Sequence, residues 1–139
     1  MNLNDELSIL RGIPLFSGIK PEALKLLAFA SDRMIYQAGQ NLFREGDQAG
    51  SAFIILSGTA SIRHEVEGGQ ETVGVVAAHT VVGEVALFCD KPRQVTVTAN
   101  SSLEALLITK DSFQKLMSSC PCSLSNILSE LGEQMNQAN

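Results

Sequence analysis

The sequence predicts a mainly β domain with flanking helices, an eight-stranded double-stranded β-helix or jelly-roll-like β-roll set between N-terminal helices and two C-terminal helices. Three observations predict it. From Met34 to Thr109 glycines cut the chain into short β-prone stretches, at spacings on the order of 8–12 residues. Helical periodicity is confined to the two ends. A chain of 139 residues with 45% hydrophobic content can build one core, and two independent domains are not expected.

Residues 1–33 read as the N-terminal helices. Leu3, Leu7 and Leu10 recur at helical spacing until Arg11-Gly12 ends the segment, and Ile13-Pro14-Leu15-Phe16 forms an apolar plug. Pro21 suits the first position of a second helix running to about Ala30, with Leu24, Leu27 and Ala28 toward the core. Residues 34–109 hold the expected strands: Met34 to Gln37, Asn41 to Arg44, Ala52 to Leu56, Ala60 to Val66, Glu71 to Val76, Val81 to Val82, Val95 to Ala99 and Leu103 to Ile108. Gly68-Gly69 marks a tight hairpin between the fourth and fifth. Residues 110–136 read as the C-terminal helices. Asp111 is the expected N-cap of the first, and Pro121 its end. The second runs from about Ser123 to Gln134, where Leu124, Ile127, Leu128 and Leu131 make one apolar face for the roll or a partner.

Composition removes several function classes. The 15 acidic residues against 10 Lys plus Arg argue against a nucleic-acid surface, which needs a basic face. No apolar run approaches the ~20 residues of a membrane span, and Met1 to Arg11 has no signal-peptide core, so a cytoplasmic protein is expected. Cys89, Cys120 and Cys122 are too few and too isolated from histidines to suggest a metal site, and reduced thiols are expected. His64 and His79 have no partner at a catalytic spacing, so no catalytic residues are assigned and the chain is not expected to be an enzyme.

Chemistry concentrates in Val82 to Val97, a connection too long for a plain turn and therefore a candidate binding loop. Gly83 permits close backbone approach, and Glu84 to Phe88 can form one helical turn with free N–H groups. Arg93 adds a guanidinium that can give paired hydrogen bonds to phosphate oxygens. Glu84 fits beside an anion when its carboxylate accepts from sugar hydroxyls. An anion beside a diol suggests a nucleotide. The bland alternative is a Glu84–Arg93 ion pair tying the loop, although surface pairs contribute only ~0–1 kcal/mol.

Gly83-Glu84-x-Ala86-Leu87 followed by Pro92-Arg93 resembles the phosphate-binding cassette of cyclic-nucleotide-binding domains, as found in catabolite activator protein, protein kinase A regulatory subunits and cyclic-nucleotide-gated channels. Gln37-Ala38-Gly39-Gln40, Phe43-Arg44-Glu45-Gly46-Asp47, Ile55-Leu56-Ser57-Gly58 and the Ile13 to Phe16 plug extend the resemblance over almost the whole chain. The resemblance implies a ligand-binding set of Gly83, Glu84, Val85, Ala86, Arg93, Gln94 and Val95 within a cassette at 83–95. In it, Glu84 and the Gly83 backbone hold the ribose 2′-OH, Arg93 and the amides of Ala86 and Gln94 hold the cyclic phosphate, and the base lies on the apolar roll. Leu87 and Phe113 are the switch candidates, the resemblance implying that the cassette leucine senses the position of the following helix, against the alternative that both are plain core.

The sequence departs from the family at His79-Thr80, where a glycine-containing turn is usual, at Val82, where an aromatic is common, and at Gln94-Val95, where small residues are frequent. Without a hydroxyl residue after Arg93 the ligand expected is cAMP, with cGMP second. The function expected is a sensor or regulatory domain that transmits occupancy through its C-terminal helices to an unidentified protein effector, with a homodimer through the last helix as one arrangement. The alternative is a degenerate roll serving only as a protein-interaction module.

Overall fold

The structure, a computed structural model, describes residues 3–119. Two α-helices, α1 (Leu3–Gly12) and α2 (Pro21–Ala30), precede eight strands: β1 (Asp32–Tyr36), β2 (Asn41–Phe43), β3 (Ser51–Ser57), β4 (Ala60–Val66), β5 (Gly69–Val76), β6 (Val81–Val82), β7 (Thr96–Ala99) and β8 (Leu103–Thr109). Helix α3 (Lys110–Ser119) follows. Short 3-10 turns occupy Pro14–Phe16 and Glu84–Leu87. The strands form two four-stranded antiparallel sheets, ordered β1-β8-β3-β6 and β2-β7-β4-β5, so the predicted roll and its strand count are found.

The burial of β3 explains its sequence. Residues 52–56, Ala-Phe-Ile-Ile-Leu, are all buried, because both faces of this strand are covered. Phe53 and Ile55 face the interior of the roll with Leu103, Ala105 and Val97. Ala52, Ile54 and Leu56 face the helices and pack with Leu10, Phe16, Leu24 and Leu27. A strand buried on both faces reads as a continuous apolar run rather than an alternating one. The plug residues Ile13, Leu15 and Phe16 sit in the helix-side core, and Glu6 of α1 is paired with Arg33 of β1, which fixes the helix on the sheet.

On β7, Val97 and Ala99 point inward, whereas Thr96 and Thr98 are buried on the opposite face and hydrogen-bonded there. Thr98 donates to Asn41 Oδ1 at 2.6 Å, and Thr96 Oγ1 accepts from the Glu45 amide at 2.8 Å. Gly58 shows why one turn demands glycine: its φ is +89°, and a Cβ there would lie 2.6 Å from the Ser102 carbonyl oxygen.

Several expected element boundaries need correction; among them β5 begins at Gly69, two residues before the expected Glu71, because Gly69 already pairs with Val66. Helix α3 begins at Lys110, and its cap is Thr109, whose Oγ1 accepts from the Ser112 amide at 3.1 Å; Asp111 lies inside the first turn and pairs with Lys115. Both residues have capping side chains, and the strand end at Thr109 supplies the entry. The first strand begins at Asp32, two residues before the expected Met34, because its pairing with β8 starts at Leu107. The second C-terminal helix, the Cys120-Pro121-Cys122 joint and any dimer contact through that helix lie outside the described residues.

Candidate ligand-binding site

Strand β6 lies beside β3, with Phe53 opposite Val82, and so delivers Gly83 to the mouth of the roll. The approach is held by the preceding turn. His79 donates its amide to Ile55 O at 2.6 Å, and Ile55 donates to Thr80 O at 2.9 Å. His79 has φ +69°, so a histidine adopts the left-handed conformation for which glycine is normally used. The predicted turn after Gly83 is the 3-10 turn Glu84–Leu87, entered through a left-handed Gly83 with φ +73°.

Arg93 is brought back to this turn by the loop after β2. Gly46 donates its amide to Arg93 O at 2.9 Å, and Arg93 donates its own to Asp47 O at 2.8 Å, two reciprocal backbone bonds across the cavity edge. The guanidinium is then fixed on several sides. Its Nη2 donates to Ser51 O at 2.6 Å, its Cζ lies 4.0 Å from the centre of the Phe43 ring, and Gly83 packs so closely that an added Cβ would be 2.5 Å from Nη1. Arg93 is only 7% exposed, and its Nε is buried without a hydrogen-bond partner among the described residues. Burial pushes its pKa down, and nearby Asp47 pushes it back up. An arginine so placed stays charged at neutral pH, so the wall carries a fixed, under-satisfied cation.

The cavity is about 280 Å³ and predominantly apolar. It is lined by six of the seven residues expected to contact ligand: Gly83, Val85, Ala86, Arg93, Gln94 and Val95. The apolar remainder includes Phe43, Ile62, Val73 and Val97. Glu84 is different: it is buried at 6% exposure and is not part of the cavity lining. The Ala86 amide donates to Gly83 O at 3.1 Å within the turn, so a phosphate would have to share or displace that bond. Gln94 extends from the rim and donates to Pro92 O at 3.3 Å.

Leu87 and Phe113 lie on the opposite side of the cassette, both about 1% exposed, in the core shared by the helices and β3. Phe88 joins them, its ring edge-on to Phe113 at 5.3 Å. The cassette therefore has one wall on the cavity and the other against α3. Sequence reasoning missed Phe43, Ser51 and Phe88 as parts of this arrangement. The aromatic within Phe43-Arg44-Glu45-Gly46-Asp47 was the available signal for the first; a backbone carbonyl such as that of Ser51 leaves none.

Fold and site together define a β-roll domain with a predominantly apolar cavity and a buried arginine on its wall. The sequence matches the Cyclic nucleotide-binding domain family over residues 33–120, and the chain belongs to that family. It is 31% identical over 110 residues to a cAMP-dependent protein kinase regulatory subunit of Emericella nidulans, covering 79% of this chain and 26% of that protein. It is 32% identical over 108 residues to Acetyltransferase Pat of Mycolicibacterium smegmatis, covering 78% of this chain and 32% of that protein. The chain thus spans roughly a quarter to a third of these relatives. Among solved structures, a Cyclic nucleotide-binding-like protein from Brucella abortus superposes with a TM-score of 0.76 at 35% identity, covering 82% of this chain and 98% of that one. Among the described residues no helix is long and apolar enough to cross a membrane.

Proposed function

We propose that this domain binds a cyclic nucleotide, cAMP in preference to cGMP, and acts as a regulatory sensor without catalysing a reaction. The observation that carries the reading is the fixed, buried Arg93 guanidinium, with a donor left over, on the wall of an apolar cavity. Such a wall suits a ligand with one anionic group and one flat apolar face. The phosphate would lie against Arg93, and the base against Ile62, Val73 and Val85. The cAMP preference rests on Gln94, which offers an amide where a hydroxyl would favour guanine.

Transmission would run through the back of the cassette. Phosphate binding draws on the Gly83 to Leu87 turn, and Leu87 and Phe88 move against Phe113 and hence α3. A ligand shifts such an equilibrium only by the difference in its affinity for the two states. The partner reading the change is an unidentified protein effector.

A degenerate roll that serves only as an interaction module is the second reading, favoured by the placement of Glu84 off the cavity and by the occupied Ala86 amide. Isothermal titration of the purified protein with cAMP and cGMP separates the two. The sensor reading expects saturable binding of cAMP that Arg93→Ala removes; heats indistinguishable from dilution for both nucleotides would favour the module.

A further inference from the structure

Three charges of the cassette and the helix behind it have no part in the site as described: Lys91, which lines the cavity, Asp90, which precedes it, and Lys110, which begins α3. Lys91 lines the cavity two residues before Arg93, with Pro92 between them restricting the backbone. It is exposed and has no ion pair or hydrogen bond among the described residues. The adjacent carboxylate, Asp90, is the obvious neutraliser. It is instead engaged by Lys110, the first residue of α3.

We propose that Lys91 is a second anion-contacting residue of this cavity, kept available because Lys110 holds Asp90 away from it. The charge at the mouth then depends on where α3 begins: with Lys110 on Asp90 the mouth is cationic, and with Lys110 withdrawn Asp90 neutralises Lys91. This rests on the reading of the cavity as a cyclic-nucleotide site. It adds to that reading an electrostatic link between α3 and ligand affinity, separate from the packing of Leu87 on Phe113. Lys91 is a flexible point charge, so it attracts the anion and biases its approach, while Arg93 fixes its geometry.

The test titrates cAMP into the whole chain at low and at high salt, with thermal unfolding to verify that each variant folds. Lys91→Gln is expected to weaken binding about two- to fivefold at low salt, the range for an exposed charge contact, and less at high salt. Lys91→Arg should keep most of the affinity. Lys110→Gln should weaken binding by a similar factor, cause no further loss in a Lys91→Gln background, and be rescued by adding Asp90→Asn. Unchanged low-salt affinity in Lys91→Gln overturns the contact, and equal losses from Lys110→Gln in both backgrounds overturn the link. If the unchanged protein binds no cAMP, the reading of the cavity itself falls, and this inference with it.

Discussion

Gly83→Ala places a Cβ 2.5 Å from Arg93 Nη1 and 3.3 Å from Phe43 Cε2, at a residue whose φ is +73°. The left-handed conformation costs a non-glycine residue roughly 1–2 kcal/mol, and that is the expected loss of stability. It corresponds to a lower Tm by roughly 2–8 °C per kcal/mol. The clash is resolved differently, because Nη1 is the far end of a flexible side chain and can move without the backbone. Moving it takes the guanidinium off the Phe43 ring and away from Ser51 O, and so out of its prepared position. An affinity loss of at least about tenfold, or ~1.4 kcal/mol, is expected. Gly58→Ala is the control: its Cβ would meet the Ser102 carbonyl oxygen at 2.6 Å and Leu103 Cα at 3.0 Å, backbone atoms that cannot step aside. It should cost more stability than Gly83→Ala and leave the affinity of the folded fraction nearly unchanged. Unfolding curves and titration of both variants decide the matter. Affinity unchanged in Gly83→Ala would refute the expectation that a Cβ at Gly83 displaces the Arg93 guanidinium from its binding position.

Arg93→Ala should weaken cAMP binding by about 2–5 kcal/mol, roughly one and a half to nearly four decades, with Arg93→Lys recovering only part; unchanged affinity in titration would remove Arg93 from the site. Titration should also find cAMP tighter than cGMP, and equal or tighter cGMP would remove the role given to Gln94. Thr109→Ala should destabilise the protein by about 1 kcal/mol through loss of the α3 cap, measured by urea unfolding, whereas Asp111→Ala should change stability by no more than a few tenths.

Strand identities were legible because glycine and β-branched residues act locally, and β4 and β6 match the sequence reading residue for residue. The Gly83 to Leu87 turn was legible for the same reason, its conformation being set by a glycine and the few residues after it. The support of Arg93 was not. Phe43 and Ser51 lie fifty and forty-two residues upstream, and only the sheet register and the Gly46 turn bring them beneath the guanidinium. The N-cap was misplaced by two residues because Thr109 and Asp111 carry equally competent side chains, and backbone entry, which the side chains do not encode, selects between them. Burial of Glu84 away from the cavity was also hidden, since a carboxylate following a glycine says nothing about which side of the turn it takes.

Amide hydrogen exchange with and without cAMP tests most directly whether this cavity holds the ligand and whether α3 reads its occupancy. Increased protection is expected from Gly83 to Val95 and altered exchange from Asp111 to Gln134, exceeding any change in the strands between Asp32 and Val76, which are held in the ladders of the two sheets. Identical exchange in α3 in both states would contradict the transmission claim, and identical exchange throughout the chain at saturating cAMP would contradict the binding site itself.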